Sequence, residues 1–209
     1  MTARNSPELF LHPKLLLGTN NQAKVREYRS LLLDLDYELV TLAEQGIAVE
    51  VDEAGDSLEE NARLKATVIA EKSRLLTLAD DSGLEVDSLG GEPGRLSARY
   101  AGEYATDAER IVYLLKRMNG VPWENRTARF RCVIALATPE GKVELCTGEC
   151  YGYITYEPHG EHGFGYDPIF YLPELDKTMA ELPLEQKNEI SHRGRAARKA
   201  EKVLKIFGL

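Results

Sequence analysis

The sequence predicts an α/β protein with a mixed sheet, and three observations support this prediction. Short apolar runs suited to buried strands alternate with segments whose apolar residues recur at helical spacing, as in Lys14–Leu17 followed by Val25–Leu32. Ser57–Glu60 and Thr106–Glu109 are capping boxes, which mark helix starts. Strand-like runs at 130–137 and 143–147 flank Pro139-Glu140-Gly141 and indicate an antiparallel hairpin. Interleaved strands and helices with an antiparallel section are typical of a mixed sheet.

The first half of the chain is predicted to alternate strands and helices. The strand at Lys14–Leu17 runs into a polar turn and a helix, and Tyr37–Leu42 is the next strand. The helix after Ser57 is expected to carry its apolar residues inward. Leu75–Ala79 is a further strand, which we expect to end in a turn at Asp80-Asp81-Ser82-Gly83.

The second half adds a glycine-rich loop, a helix, the hairpin and a final helix. Gly90–Gly94 is predicted to be irregular, and the helix that follows Thr106 is expected to stop near Asn119-Gly120. Tyr151–Tyr156 is predicted as another strand after the hairpin. From Ser191 onward apolar residues recur at helical spacing, and the opposite face of that helix is strongly basic.

Composition restricts the classes of function. The chain has 209 residues with 26 basic and 34 acidic side chains, a formal net charge of −8, and its 43% hydrophobic content is enough to fill a core. This acidic balance argues against general nucleic-acid binding, which needs a basic surface. A single nucleotide is still compatible, because a local pocket and a metal can hold a small anion.

The sequence also predicts the compartment. No apolar run approaches the roughly 20 residues that cross a bilayer, and Met1–Leu11 has no long apolar segment typical of a signal peptide. We therefore expect a cytoplasmic protein that binds no membrane. The odd number of cysteines, Cys132, Cys146 and Cys150, favours reduced structural thiols over a disulfide framework or metal ligands.

The first polar cluster with possible chemistry is Thr19-Asn20-Asn21-Gln22-Ala23-Lys24, where a strand leads into a helix. Free backbone N–H groups at a helix start attract anions, and Lys24 adds a point charge, so this segment could bind phosphates. The alternative is that Thr19 or Asn21 only caps the helix and Lys24 is solvated. The glycine spacing of a P-loop is missing.

Two acidic clusters follow, Asp52-Glu53 and Asp80-Asp81-Ser82-Gly83. Carboxylates from separate segments can converge on Mg²⁺, which commonly takes one or two carboxylates together with substrate phosphates. An ionised carboxylate beside that metal could orient or deprotonate a water. The alternatives are an exposed acidic loop for the first cluster and a capped turn for the second.

The fourth cluster is divided between Gly163–Pro168 and Lys187–Arg193. An aromatic residue bracketed by glycines can offer a flat surface to a base, and donors at a predicted helix start can face an oxygen-rich ligand. The alternatives are a core position for Phe164 and a surface position for His192. His159 and His162 are interpreted as loop polarity, and no Ser/His/Asp triad is indicated.

Taken in order, these motifs resemble the inosine triphosphate pyrophosphatase family, which hydrolyses deaminated purine nucleoside triphosphates. The resemblance extends from Leu15 to near the C-terminus. The matching residues are Thr19-x-Asn21-x-x-Lys24, Ala79-Asp80-Asp81-Ser82-Gly83-Leu84, Ser97-Ala98-Arg99-Tyr100, Phe164-Gly165-Tyr166-Asp167-Pro168 and Lys187-Asn188-x-x-Ser191-His192-Arg193.

The resemblance implies a fold and a reaction. The fold is α/β with two lobes around a long curved mixed sheet flanked by helices, and the active-site cleft lies between the lobes. A single domain is expected at 14–209 after an N-terminal extension at 1–13, assembled as a homodimer. The reaction is Mg²⁺-dependent cleavage of ITP, dITP or XTP between the α- and β-phosphates, which yields the nucleoside monophosphate and pyrophosphate and cleanses the nucleotide pool.

The resemblance also implies roles for residues. Asp81 is expected to be the catalytic acid-base residue and a metal ligand, with Glu53, or Asp52 beside it, as the second ligand. The expected triphosphate contacts are Thr19, Asn20, Asn21, Gln22, Ala23, Lys24, Lys65 and Ser82. The expected nucleotide and base pocket comprises Phe164, Gly165, Tyr166, Asp167, Lys187, His192 and Arg193. Gln186 stands where the family commonly has glutamate.

The chemistry of these residues agrees with that reading. Lys24 and Lys187 can bind a triphosphate, and donors from Arg193 and the backbone can select a 6-keto purine, because the amino group of adenine would face a donor. Three other functions remain open at this point: a pyrophosphatase for modified pyrimidine nucleotides, a nucleotide-binding regulator without catalysis, and an interaction domain that uses the basic C-terminal helix.

Overall fold

The structure, a computed structural model, describes residues 12–52 and 54–207. Within that part of the chain one sheet has the strand order β2-β1-β3-β5-β6-β7-β8, with β4 paired to β3. The strands are β1 (Lys14–Leu17), β2 (Glu38–Thr41), β3 (Leu76–Val86), β4 (Pro93–Gly94), β5 (Thr127–Ala137), β6 (Val143–Ile154), β7 (Phe170–Leu172) and β8 (Lys177–Thr178). The helices are α1 (Gln22–Leu31), α2 (Leu58–Ser73), α3 (Asp107–Arg117), α4 (Leu184–Ile190) and α5 (His192–Phe207).

The sheet is mixed, which confirms the predicted α/β class. β1 pairs in parallel with β2 and β3, and β3, β5, β6, β7 and β8 pair antiparallel in sequence. The predicted hairpin is formed by β5 and β6, and the strand predicted at Tyr37–Leu42 is β2. Among the residues of 12–52 and 54–207, no helix combines the length and the apolar character needed to cross a membrane.

Three local predictions were wrong. Asp80–Gly83 is not a turn, because β3 continues through it and pairs with β5, for example Asp81 with Val133. Tyr151–Tyr156 is not a separate strand, because β6 runs without a break to Ile154. Gly90–Gly94 is not wholly irregular, because Pro93 and Gly94 pair with Glu85 and Leu84. In each segment, sheet pairing outweighs the local preference for a turn or loop.

Both predicted capping sites begin helices. The Thr106–Glu109 box is complete at the start of α3. At the start of α2, Ser57 Oγ accepts from Glu60 N at 3.1 Å, but the Glu60 carboxylate accepts from Asp56 N at 2.7 Å, one residue earlier than in a capping box. The inward face of α2 is as predicted, with Leu58, Ala62, Ala66 and Ile69 buried.

The long strands pass through separate apolar clusters. Leu78 of β3 packs in a cluster with α1 and α5, whereas Leu84 packs in a second cluster with α3 and β7. A third cluster joins α2 to β3 and β5. Asp80–Gly83 therefore crosses the region between the first two clusters, and polar side chains gather there. Cys132, Cys146 and Cys150 are buried free thiols in these layers, as predicted.

Candidate active site

A cleft of about 1110 Å³ opens beside the middle of β3, and the four predicted polar clusters all reach it. The predicted site residues in its lining are Thr19, Asn20, Asn21, Ala23, Lys24, Asp52, Lys65, Asp81, Ser82, Phe164, Gly165, Tyr166, Asp167, Lys187, His192 and Arg193. Gln22, the first residue of α1, is exposed and is not among them. Glu53 lies outside the described residues, as does Met1–Leu11.

The turn between β1 and α1 forms one wall. Gly18 N donates to Leu78 O at 2.7 Å, so the turn stays against β3. Asn21 Oδ1 accepts from Ala23 N at 2.9 Å and from Lys24 N at 3.2 Å, which makes Asn21 the N-cap of α1. Lys24 is not simply solvated, since its Nζ lies 2.9 Å from Asp80 Oδ2.

Asp80 and Asp81 point to opposite faces of the sheet, as neighbours on a strand must. Asp80 is buried on the α1 side, where its Oδ2 accepts from Ser82 Oγ at 2.8 Å and lies 3.6 Å from Arg193. Burial works against ionisation of Asp80, but the positive charges of Lys24, Arg193 and Lys65 outweigh it and hold the pKa well below its usual value. Asp80 is therefore a fixed negative charge beneath the cleft.

Asp81 faces α2, and its carboxylate is surrounded by donors. Asn61 Nδ2 donates to Asp81 Oδ2 at 3.1 Å, and Ser82 N donates to Asp81 Oδ1 at 3.0 Å. Lys65 Nζ lies 3.7 Å from the same Oδ1. Asn61 was not predicted as a site residue, although it stands one helical turn before Lys65 and directly after the predicted capping box Ser57–Glu60.

The donor set fits a hard divalent cation shared with a ligand. Asp81 and Asp52 contribute carboxylates to the same lining, whereas Asp80 lies on the other face of the sheet and is not part of it. Within 12–52 and 54–207 no group of three or more His, Cys, Asp or Glu side chains could hold a metal ion. A hard divalent cation held here would take one or two carboxylates and complete its shell with water and ligand oxygens.

The other end of the cleft rests on a buried ion network that sequence reasoning did not find. Glu27 of α1 contacts Lys187 Nζ and Arg193 Nη1, each at 2.7 Å, and Lys187 Nζ lies 2.5 Å from Asp167 Oδ2. Burial raises the pKa of Asp167, with Glu27 adding to the rise. Burial also opposes ionisation of Glu27, but Arg193 and Lys187 lower its pKa below the usual value.

Phe164 and His192 form the aromatic part of the cleft. The Phe164 ring is half-buried, with Lys187 Nζ 4.9 Å and Arg193 Cζ 5.4 Å from its centroid. His192 is buried and stacks on Phe130 at 4.7 Å, so it is not a surface residue. Burial, followed by the charges of Arg193 and Lys187, lowers the pKa of His192 well below its ordinary value, and the imidazole is neutral.

Two glycines allow α4, α5 and β6 to pack closely, and this packing positions the residues at this end of the cleft. A Cβ on Gly194 would lie 1.8 Å from Asn188 O, and a Cβ on Gly148 would lie 2.1 Å from His192 O. Only glycine permits such contacts. The close packing of α4, α5 and β6 places Lys187, His192 and Arg193 on one side of the cleft.

Three arginines and a hydrogen bond between α3 and the Phe164 segment complete the lining. Arg95, Arg99 and Arg110 reach the cleft, although none was predicted as a site residue. Asp107, the first residue of α3, accepts from Gly165 N at 2.6 Å and pairs with Arg110. The Thr106 capping box was the available signal, because it indicated a helix start with an acid in its first turn.

Comparison with known proteins identifies the family. The sequence profile of the Ham1 family matches residues 15–203, most of the chain. The chain belongs to the Ham1 family. A dITP/XTP pyrophosphatase of Desulforamulus reducens is 51% identical over 91% of this chain and 95% of its own length. Another from Geobacter sulfurreducens is 50% identical over 88% of this chain and 92% of its own length.

Solved Ham1 structures share the fold. A Ham1 protein from Coxiella burnetii superposes with a TM-score of 0.84 at 41% identity, covering 92% of this chain and 98% of that one. The β1–α1 turn, the acidic strand segment and the α4–α5 junction described above all lie within the part of this Ham1 chain that the family profile matches.

Proposed function

We propose that this protein hydrolyses deaminated purine nucleoside triphosphates, namely ITP, dITP and XTP, to the nucleoside monophosphate and pyrophosphate, and so removes them from the nucleotide pool. The observation that carries the proposal is the convergence of Lys24, Lys65 and Asp81 with the Phe164 pocket in one cleft. The names of the relatives, dITP/XTP pyrophosphatase, support the same substrate class.

The triphosphate binds at the end formed by the β1–α1 turn and α2. Lys24 and Lys65 provide the positive charges, and the N-terminus of α1 adds the partial positive charge of a helix start. Asp81, together with Asp52 or Glu53, would hold Mg²⁺, which would neutralise phosphate charge when bound. Thr19, Asn20 and Ser82 also line the cleft, which supports a role for them in orienting the phosphate oxygens.

Asp81 serves as the acid-base residue. The oxygen of a water forms a bond to the α-phosphorus as the bond from that phosphorus to the α–β bridging oxygen breaks. Pyrophosphate leaves with the electrons of the broken bond. The proton lost by the water passes to the Asp81 carboxylate and from there to solvent or product. Ser82 N and Asn61 Nδ2 each donate to a different oxygen of Asp81, and these two contacts restrict the orientation of the carboxylate.

The purine lies against Phe164, where neutral His192 and Arg193 provide selection. His192 Nδ1 and Arg193 Nε are buried and have no hydrogen-bond partner within the described part of the chain. The other guanidinium nitrogens of Arg193 are committed to Glu27 and Ser82. A 6-keto purine offers acceptors to the remaining donor, whereas the adenine amino group would place a donor against it.

We further propose that a single domain at 14–209 acts in the cytoplasm as a homodimer. The resemblance to the inosine triphosphate pyrophosphatase family supports the domain and the dimer, and the buried free thiols of Cys132, Cys146 and Cys150 support the cytoplasmic location. Light scattering coupled to size-exclusion chromatography measures the assembly, and a monomer mass would exclude the dimer.

The function is tested with a panel of nucleotides and one variant. With Mg²⁺ present, we expect ITP, dITP and XTP to release pyrophosphate and the matching monophosphate, and ATP to release far less. Asp81→Asn keeps the side-chain shape but removes the charge, so kcat should fall by roughly 10²- to 10⁴-fold while the circular dichroism spectrum is unchanged.

Four outcomes contradict the proposal. Comparable turnover of ATP would exclude the donor-based selection, and preferred turnover of a modified pyrimidine triphosphate would exclude the purine assignment. Tight nucleotide binding without pyrophosphate release would indicate a regulator rather than an enzyme. Wild-type turnover by Asp81→Asn would remove Asp81 from its role.

A further inference from the structure

Asn61 is a fully buried amide whose two ends are used by different parts of the site. Its Oδ1 accepts from Gly55 N at 2.9 Å, and its Nδ2 donates to Asp81 Oδ2 at 3.1 Å. These partners determine the orientation of the amide, because a backbone N–H can only donate and a carboxylate accepts. A buried amide inside a helix is costly unless both ends are satisfied, and here both are.

The loop that carries Asp52 is pressed against α2 at this point. A Cβ on Gly55 would lie 2.7 Å from Asn61 Oδ1 and 2.8 Å from Glu60 Cβ, so a larger residue would push the loop away. One residue later, Asp56 N donates to Glu60 Oε2 at 2.7 Å. The acidic loop is therefore attached to α2 by neighbouring hydrogen bonds, one of which ends on Asn61.

Asn61 and Lys65 are four residues apart and lie on the same face of α2. Asn61 contacts Oδ2 of Asp81, and Lys65 Nζ lies 3.7 Å from Oδ1. One helix thus engages both oxygens of the same carboxylate. Two partners on different oxygens restrict rotation of the carboxylate about its Cβ–Cγ bond.

We infer that Asn61 is a positioning residue, which fixes the rotation of the Asp81 carboxylate and sets its distance from the acidic loop. The inference rests on the proposed function and deepens it. Asn61 does not line the cleft, so it acts through Asp81 rather than on the substrate. It also links the two elements that carry the proposed metal ligands.

Two variants separate the donor role from a purely structural one. Asn61→Asp keeps the shape of the side chain and an acceptor for Gly55 N, but replaces the donor to Asp81 with a second acceptor. Asn61→Leu removes both hydrogen bonds. Thr77→Val is the matched control, because Thr77 is a fully buried polar residue on the same strand as Asp81, outside the cleft, that donates to Leu75 O at 3.1 Å.

With ITP we expect both Asn61 variants to lose kcat by roughly tenfold to a hundredfold, with KM changed by less than about threefold. Mn²⁺ alone, followed by the electron paramagnetic resonance of the free ion, should bind Asn61→Leu roughly tenfold more weakly than wild type. Thr77→Val should lower thermal stability yet keep wild-type kcat and Mn²⁺ binding.

The proposal is overturned if Asn61→Asp turns over ITP at the wild-type rate, or if Thr77→Val loses kcat to the same extent. If Asn61→Leu does not fold, the near-isosteric Asn61→Asp still decides. If the wild-type protein releases no pyrophosphate from any triphosphate, the proposed function fails by itself. In that case equal Mn²⁺ binding by wild type and Asn61→Leu would separately refute the positioning role.

Discussion

The two ends of the cleft handle charge in different ways. At the end proposed to bind phosphate, the Lys24 and Lys65 side chains are 16% and 13% exposed. At the end proposed to bind the base, the Lys187 and Arg193 side chains are only 3% and 2% exposed, and both contact the Glu27 carboxylate. A cation that keeps contact with solvent can exchange water for a phosphate. A cation buried against an acid instead stabilises the structure of the pocket. Substitutions at one end should therefore change substrate binding, and substitutions at the other end should change the free energy of unfolding.

The largest effect is expected from breaking the buried network. Among the described residues, Glu27→Gln removes the one carboxylate that Lys187 and Arg193 share and leaves them only Asp167 and Asp80, respectively. Removing one partner of a buried pair commonly costs about 3–5 kcal/mol. The free energy of unfolding, measured in urea, should fall by that amount. Glu201→Gln is the control, because its pair with Lys205 is on the surface of α5 and contributes little. Equal losses in the two variants would contradict a special role for the network.

An intermediate effect is expected at the phosphate end. Lys24→Met keeps the aliphatic stem but removes the charge beside the triphosphate, so KM for ITP should rise by roughly tenfold to a hundredfold. Arg193 and Ser82 still contact Asp80, so the free energy of unfolding should change less than in Glu27→Gln. Steady-state kinetics and urea unfolding on the same sample measure both quantities. An unchanged KM would remove Lys24 from the substrate contacts.

The smallest effect is expected in the pH dependence of stability, to which His192 contributes. The folded-state pKa of His192 lies well below its usual value of 6.5, so on acidification the unfolded chain takes up this proton first. Stability therefore falls as pH drops below about 6.5, by about 1 kcal/mol between about pH 7.5 and about pH 5.5 from this group alone. His192→Asn should show a smaller difference between the two pH values. Identical pH dependence in both proteins would contradict the buried neutral imidazole.

Much of the fold could be predicted from local patterns. The β1–α1 opening, the two helix starts and the β5–β6 hairpin follow from apolar periodicity and capping residues, which act over a few residues. Asp80–Gly83 was misassigned because its residue types favour turns, whereas pairing with β5, about fifty positions away in sequence, keeps it in a strand.

Site residues that belong to short sequence motifs could be predicted. Site residues whose role depends on contacts with distant parts of the chain could not. Lys24, Asp81 and Phe164 belong to short motifs and line the cleft. Glu27 resembles any polar residue of an exposed helix face, and its burial results from Lys187 and Arg193 more than 150 residues away. The proposed role of Asn61 likewise depends on its hydrogen bonds with Gly55 and Asp81, which the fold brings next to it.

Because Asp80 and Asp81 lie within a strand, the face to which each acid points depends on the number of residues that precede it in β3. Side chains on a strand alternate between faces, so removing a single residue between Leu76 and Ala79 would move each acid to the side now occupied by the other. The carboxylate facing α2 would then be the wrong one, with both acids still present in the sequence. The length of this short segment is as strict a requirement for the site as the identity of either acid.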